Sequence, residues 1–234
     1  MASETRSATI APEAGKPSRE RRSQADRSAE TREKVLAAAI GLLHSSGYSA
    51  ANIKAIASKA GVSLGSLQHQ FPTKAKLMAA VVDQLARKRI AAYRATADHI
   101  ADPWQKYGSV FDTTWAVVKE PEFAAVLEIM LARRSDQELR EETEVSFASN
   151  EAAIKEWVLG LGNLAGDDLG IAEFRRSLSN TLMYGLAMQL AIGFDARDAE
   201  ELVSYWKNLV LLASQHPELL PERLRQRRGG TGSD

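Results

Sequence analysis

Residues 64–71 of this 234-residue chain form a short polar segment whose side chains could hydrogen-bond to the bases or phosphates of DNA. The side chains expected to face outward are Leu64, Gly65, Ser66, Gln68, His69 and Gln70. Gln and Ser can pair with base edges, Leu64 can contact a thymine methyl group, and Gly65 permits close approach of the backbone. For His69, a partly exposed helix histidine without a ligand is the alternative.

The preceding residues indicate how this segment is presented. Residues 52–60 carry apolar side chains at helical spacing, and Gly61, Val62 and Ser63 then form a turn in which Ser63 is the N-cap of the next helix. Two short helices joined in this way match a helix-turn-helix, whose second helix enters the major groove. Thr73 is the expected cap of a third helix, which begins at Lys74.

Acidic residues are absent from these helix starts. No Asp or Glu occurs between Glu33 and Asp83, and Lys74 and Lys76 occupy a first turn, where acids are normally favoured by the helix dipole. Asn52 stands at the start of the first short helix. Unpaired backbone N–H groups beside cations suit a phosphate backbone. An ordinary helical corner with solvated lysines is the alternative.

The composition excludes several classes of protein. The chain has no Cys, so disulfides, thiolate metal sites and cysteine nucleophiles are excluded, and 44% hydrophobic residues suffice for a core. The formal net charge is +0, but residues 1–77 hold 12 basic and 6 acidic side chains against 18 and 24 in residues 78–234. This asymmetry favours a polyanionic partner for the first part. With no signal peptide or apolar run of membrane-spanning length, we expect a soluble, cytoplasmic protein.

Helical periodicity continues along nearly the whole chain, which predicts an all-α fold. The predicted helices cover approximately residues 29–46, 52–60, 64–71, a long helix from 74, 103–119, 121–134, 136–160, 168–192 and 196–214. We expect a flexible basic arm at 1–27, a three-helix helix-turn-helix DNA-binding domain at 28–80, a larger helical ligand-binding and dimerisation domain at 81–225, and a flexible tail at 226–234.

Residues 29–77 also resemble the tetracycline-repressor (TetR) family of bacterial transcriptional regulators. The resemblance rests on Val35-Leu36-x-Ala38-Ala39-x-x-Leu42-Leu43, Gly47-Tyr48, Ile53-x-x-Ile56-Ala57-x-x-Ala60-Gly61-Val62-Ser63-x-Gly65-x-Leu67 and Phe71-Pro72-x-Lys74-x-x-Leu77. It implies a DNA-binding head on a helical ligand-binding and dimerisation body. It also implies DNA contacts from Lys74 and from Ser63, Leu64, Ser66, Gln68 and His69.

Two positions depart from the family pattern. Gln68 stands where a Tyr commonly follows the leucine of the recognition helix, and Ala51 stands where a Thr or Ser commonly opens the second helix. Asn52 can replace that hydroxyl as a hydrogen-bonding group. The full set of candidate DNA-binding residues, over about 52–71 and the next helix start, is Asn52, Ser63, Leu64, Gly65, Ser66, Gln68, His69, Gln70 and Lys74.

The remaining helices carry large apolar side chains that could line a ligand pocket or simply form the core. The pocket candidates are Trp104, Tyr107, Phe111, Trp115, Phe123, Leu127, Met130, Phe147, Trp157 and Met183. A regulator of this family is expected to hold a small apolar or amphipathic effector between such helices. Apolar stripes on the last two long helices predict a four-helix dimer interface, with packing onto the protomer's own core as the alternative. The interface candidates are Leu182, Leu186, Leu190, Leu202, Trp206 and Leu209.

The sequence therefore favours a ligand-responsive, sequence-specific transcriptional regulator, expected to be a repressor that binds a palindromic operator in double-stranded DNA as a homodimer. A helical adaptor whose basic head binds an acidic protein partner is the alternative. An enzyme, a cofactor or a metal site is not expected, because His44, His69, His99 and His216 are isolated. Carboxylates such as Glu128 and Asp136 lie near arginines, where ion pairing is their ordinary use.

Overall fold

The structure is a computed structural model that describes residues 24–164 and 169–229, and within these ranges no strand occurs. Its helices are α1 (Gln24–Ala50), α2 (Ile53–Ala60), α3 (Leu64–Gln70), α4 (Lys74–Ala97), α5 (Pro103–Val118), α6 (Pro121–Ala132), α7 (Gln137–Leu164), α8 (Leu169–Ala191), α9 (Ala196–Gln215) and α10 (Glu222–Gly229), with a 3-10 turn at Pro217–Leu219. The all-α prediction is confirmed. None of the described helices is long and apolar enough to cross a membrane.

The first three helices pack around a small core that fixes α3. Val35, Ala39 and Leu43 repeat every four residues along α1 and are fully buried, as are Ile56 of α2 and Leu67 of α3. At Gly47 the backbone takes a φ of 77°, a left-handed conformation that disfavours side chains with a Cβ. The regular part of α1 therefore ends at the predicted glycine, and the chain turns towards α2.

Helix α4 joins this head to the larger part of the molecule without a linker. Its start packs against α1, and its later turns pack against α5 and α7. Tyr93, near its end, is buried and stacks on Trp157 of α7 with ring centroids 5.1 Å apart. A rotation of the head therefore has to be accommodated along a continuous helix.

The two chain ends differ from the sequence-based prediction. Helix α1 begins at Gln24, so residues 24–27 of the predicted flexible arm are helical, with Asp26 favourably placed in the first turn. Helix α10 takes in residues 226–229 of the predicted flexible tail. It is held because Leu220 and Leu224 are buried against Ile171 of α8, a contact between distant segments. Residues 1–23 and 230–234 lie outside the described residues.

Candidate nucleic-acid interface

Helix α3 is anchored by one face and presents the other to solvent. Leu67 is fully buried, and Phe71, which ends the helix, is buried beside it. Gly65, Gln68 and His69 are exposed, as the outward spacing predicts, and Leu64 is 39% exposed. Removing a buried leucine of this kind costs about 2–5 kcal/mol of stability. The core thus fixes the rotation of α3 about its axis and decides which side chains can meet a ligand.

The predicted caps form, and they use side chains that are also DNA-binding candidates. Asn52 Oδ1 accepts a hydrogen bond from the Ala55 N–H at 2.9 Å, and Ser63 Oγ accepts one from the Ser66 N–H at 3.1 Å. Thr73 Oγ1 caps α4 in the same manner. The hydroxyl hydrogen of Ser63 remains able to donate, whereas Asn52 keeps only its amide N–H groups for a ligand.

The turn between α2 and α3 depends on Gly61, which has a φ of 65° and a ψ of 33°. Its N–H donates to the Ser58 carbonyl at 3.2 Å, and the Val62 N–H donates to the Ala57 carbonyl at 3.1 Å. This is the left-handed helix ending that the sequence predicts at Gly61. It brings the start of α3 directly after the end of α2, and Ser63, Leu64 and Gly65 at that start are exposed.

Nothing in the protein's own packing or backbone conformation requires a glycine at position 65. A Cβ placed on Gly65 meets nothing within 4 Å, and the residue has no positive φ. Because glycine weakens a helix relative to alanine, the protein's own packing would favour a larger residue here. Close approach of another molecule to the exposed backbone is a physical reason for the glycine.

Two side chains that were predicted to contact DNA form hydrogen bonds within the protein. Gln70 is half-buried, and its Nε2 donates to Ser28 Oγ at 2.6 Å, which ties the end of α3 to the start of α1. Lys74 Nζ donates to the Tyr48 carbonyl at 2.7 Å and lies 3.5 Å from the centroid of the Tyr48 ring. Burial lowers the pKa of Lys74, and the nearby Asp136 carboxylate partly opposes that effect. Lys76, on the same turn, is exposed instead.

Tyr48 joins this corner to the rest of the molecule. Its N–H donates to Glu128 Oε2 of α6, and its hydroxyl donates to Asp136 Oδ2 before α7, both at 3.0 Å. Burial and then the Asp136 hydrogen bond raise the pKa of Tyr48 well above its usual range. The expected use of Glu128 and Asp136 in ion pairs with neighbouring arginines is therefore wrong: tertiary packing brings them to Tyr48, some eighty residues earlier in the chain.

Three exposed lysines of the head are not among the predicted DNA-binding residues. Lys54, Lys59 and Lys76 are exposed on α2 and α4. Apart from Glu30 and Glu33 on α1, the nearest acids in sequence are Asp26 and Asp83. These exposed lysines, and first turns of α2, α3 and α4 that hold no acidic residue, give this part of the head an excess of positive charge.

Comparison with known proteins identifies this arrangement. The family model described as bacterial regulatory proteins, tetR family, matches residues 35–81, which run from α1 into the start of α4. The chain is 30% identical over 141 residues to the HTH-type transcriptional regulator CymR of Pseudomonas putida, an alignment that covers 60% of this chain and 70% of that protein. The chain belongs to the tetR family of bacterial regulatory proteins.

Solved structures have the same fold at lower sequence identity. A TetR-family transcriptional regulator from Streptomyces coelicolor matches with a TM-score of 0.65 and 19% identity, covering 80% of this chain and 96% of its own. The fatty acid degradation regulator FadR from Bacillus halodurans matches with a TM-score of 0.63 and 18% identity, covering 77% of this chain and 94% of its own. The TetR-family chain is accordingly a DNA-binding transcriptional regulator, and its relatives are regulators rather than enzymes.

Two adjoining cavities lie in the body of this TetR-family regulator, and five of the ten predicted pocket residues line them. An inner chamber of about 40 Å³ is lined in part by Tyr107, Phe111 and Met183, and an outer cleft of about 420 Å³ is lined in part by Met130 and Phe147. The larger volume is within the usual range for small-molecule sites.

The other five predicted pocket residues lie elsewhere. Trp115 and Phe123 are buried in the main core. Trp157 stacks on Tyr93, Trp104 makes an edge contact with Tyr107, and Leu127 lines a separate cleft between α1, α6 and α8. Sequence alone does not separate these roles, because core and pocket positions share the same helical spacing.

Arg89 and Arg176 line both cavities, although neither is among the predicted pocket residues. A signal for Arg89 was available. Leu77, Val81, Leu85, Arg89 and Tyr93 follow one another at intervals of four, so a cation stands inside the apolar stripe of α4. Arg176 follows another arginine on α8 and carries no comparable signal.

An exposed apolar surface runs along α8 and α9, and we call it the α8–α9 face. Its residues are Leu178 and Met188 of α8, Ile192 in the turn that follows α8, and Leu202, Tyr205, Leu209 and Leu212 of α9. Ile192 is 86% exposed and Tyr205 is 66% exposed. On α9 the spacing alternates between three and four residues, as in helices that pack together.

This face includes only part of the predicted dimer interface. Leu202 and Leu209 belong to it, but Leu186 is buried in the protomer's own core and is removed from the candidates. Leu182 and Leu190 are half-buried against the same core. Trp206 packs there too, and its Nε1 donates to Ser179 Oγ at 3.1 Å. The apolar stripe of α8 covers two faces, and packing against α5 and α6 decides which one is buried.

Proposed function

We propose that this regulator binds a palindromic operator as a homodimer, acts as a repressor, and is released by a small-molecule effector. Helix α3 enters the major groove of each half-site. The observation that carries the proposal is the exposed face of α3, rigidly held by Leu67 and surrounded by acid-free helix starts. Dimer symmetry then places the half-sites about one helical turn apart, on the order of 34–36 Å.

Within the proposed interface, the residues divide by role. Gln68 and His69, which are exposed on α3, contact base edges together with the half-buried Ser66, while Leu64 contacts a thymine methyl group. Ser63 and Lys76 contact phosphates, together with the helix-start N–H groups. Lys74 acts by holding the Tyr48 corner in place, and its Nζ is positioned by the Tyr48 carbonyl.

The proposed organisation assigns residues 28–80 to the DNA-binding head and 81–225 to the ligand-binding and dimerisation body. The α8–α9 face supports dimerisation, because its exposed apolar residues on α9 recur at the alternating three- and four-residue spacing of helices that pack together. The cavities between α4, α5, α7 and α8 support the effector site. An effector there favours head spacings that no longer match successive grooves and so shifts the population away from the DNA-binding state.

A gel-shift with DNA from just upstream of the protein's own coding region tests the proposal. We expect a sharp complex that resists non-specific competitor DNA. Gln68→Ala should alter which sequences are bound, whereas Val145→Ala, at an exposed position of α7 away from the head, should not. Absence of specific DNA binding, together with capture of an acidic protein by the basic head, would instead favour an adaptor.

Analytical ultracentrifugation at micromolar concentration tests the dimer. Ile192→Glu and Tyr205→Glu place charges on the α8–α9 face at positions exposed in the protomer, so they should yield monomers that remain folded. Val145→Glu, which is 77% exposed on α7, is the matched control and should leave the dimer intact. A wild-type protein that sediments only as a monomer would contradict this part of the proposal.

A further inference from the structure

Arg89 of α4 is a buried cation without an acidic partner. It is 8% exposed, and its Nε donates to the Tyr93 hydroxyl at 2.7 Å. Tyr184 is its other hydrogen-bonding side chain, and no carboxylate of the described residues lies within ion-pairing distance of it. Two neutral phenols do not balance a buried positive charge, which is costly in a low-dielectric interior. A bound anion would supply the missing negative charge.

Arg176 of α8 faces the same space and is also incompletely paired. Its side chain is 9% exposed, and its Nη1 lies 2.7 Å from Glu151 Oε1. Within the described part of the chain, Nε and Nη1 are nevertheless buried without a well-directed hydrogen bond. The Glu151 contact is therefore an ion pair by distance, while guanidinium N–H groups remain to be satisfied.

Both arginines lie between the inner chamber and the outer cleft. Arg89, Arg176, Ile154 and Asn180 line both cavities. Among all residues lining the two cavities, the charged ones are these two arginines and Glu151, so the site carries one net positive charge. One ligand charge of −1 would balance it, whereas a dianion would leave an excess of negative charge.

The remaining walls define the rest of the ligand. The inner chamber is bounded by Tyr107, Val110, Phe111 and Met183, and the outer cleft by side chains such as Phe147. These surfaces suit an aromatic or aliphatic group and offer no second charge. A carboxylate matches the planar fork of a guanidinium and accepts two parallel hydrogen bonds from it.

We propose that Arg89 and Arg176 bind the carboxylate of a monoanionic effector whose apolar body occupies the two cavities. This inference rests on the proposed function, since it specifies the ligand class of the effector site. The side-chain amide of Asn180 lies on the walls of both cavities, and its N–H groups can donate to the carboxylate and orient it. The cavity thus selects for charge through the arginines and for shape through its apolar walls.

Matched acid and amide pairs test the charge preference. Benzoate, naphthoate and octanoate are titrated into the full-length protein beside benzamide, naphthamide and octanamide, with calorimetry and thermal shift as readouts. A hydrogen-bonded buried charge pair predicts at least about tenfold tighter binding of an acid than of its amide. If no acid binds more tightly than its own amide, the proposal is overturned.

Substitutions on α4 and α8 test whether the two arginines cause the acid preference. Arg89→Met should abolish the acid preference while raising the melting temperature of the ligand-free protein, because it removes an uncompensated buried charge. Arg87→Gln, on the exposed side of the same helix, is the control and should change neither. Arg176→Gln is the second variant and should weaken acid binding about tenfold or more. Retention of full acid binding by both Arg89→Met and Arg176→Gln would contradict the assignment.

The same ligands in the gel-shift separate this inference from the proposed function. An acid that binds through Arg89 but leaves the DNA complex intact would support the anion site and contradict effector release. Release of DNA by an amide and not by its acid would support effector release and contradict the anion site.

Discussion

Replacing Gly65 by alanine separates the internal needs of α3 from those of DNA binding. The added Cβ meets nothing within 4 Å, so it causes no clash in the free protein. Alanine is favoured over glycine by about 1 kcal/mol inside a helix, and near the helix start we expect about 0.5–1 kcal/mol of stabilisation. Urea unfolding monitored by circular dichroism measures this gain.

On DNA the same methyl group should be harmful. If the backbone at Gly65 approaches the major groove, the Cβ displaces α3 and weakens base or phosphate contacts worth about 1–3 kcal/mol, a loss of about 5- to 150-fold in affinity. Fluorescence anisotropy with DNA selected from a random pool measures the affinity at fixed salt concentration.

Gly160→Ala supplies the matched control. Gly160 is an exposed helical glycine of α7 whose Cβ also meets nothing within 4 Å. The Gly160→Ala protein should gain stability for the same reason, and its DNA affinity should not change. A Gly65→Ala protein that is more stable and binds operator DNA as tightly as wild type would refute the placement of α3 in the groove.

Three further outcomes are expected. Lys76→Ala should weaken binding to all DNA sequences and reduce the slope of log affinity against log salt by about one phosphate contact. Lys74→Ala should also lower the free energy of unfolding, because Lys74 holds the Tyr48 carbonyl. The free energy of unfolding should fall as pH rises above about 10, because the unfolded chain loses the Tyr48 proton there and the folded protein keeps it. Urea titrations of Tyr48→Phe should show a smaller fall. The lowered pKa of Lys74 has the opposite effect on the pH dependence of stability. Gln68→Ala should change the consensus recovered by selection from random DNA, and an unchanged consensus would remove Gln68 from the reading face.

The head was predictable because its signals are local. Asn52, Ser63 and Thr73 cap helices through atoms three residues away, and Gly61 ends α2 through its own backbone conformation. Each of these features depends on a few consecutive residues. The boundaries of α2 and α3, and four of the six outward positions of α3, therefore followed from the sequence pattern, whereas Ser66 and Gln70 are half-buried.

The use of Lys74 was not predictable in the same way. Its ammonium group is held by Tyr48, 26 residues earlier in the chain, and Tyr48 is itself held by Glu128 and Asp136. A family motif shows that a lysine belongs at this position, but tertiary packing decides which atom it meets.

In the body, helical periodicity alone does not predict which apolar residues are buried. Leu178, Leu182 and Leu186 are chemically alike and lie on one α8 stripe, yet the first is exposed, the second half-buried and the third buried. The neighbouring helices α5 and α6 make this distinction. Arg89 is the opposite case, since its four-residue spacing marks it as inward-facing although its charge suggests a surface position.

Hydroxyl-radical footprinting on DNA selected by the full-length protein tests the central claim most directly. Two protomers that each place α3 in the major groove should protect two symmetric patches on palindromic half-sites, about 34–36 Å apart. A single protected patch, or an asymmetric one on DNA without a two-fold repeat, would contradict it.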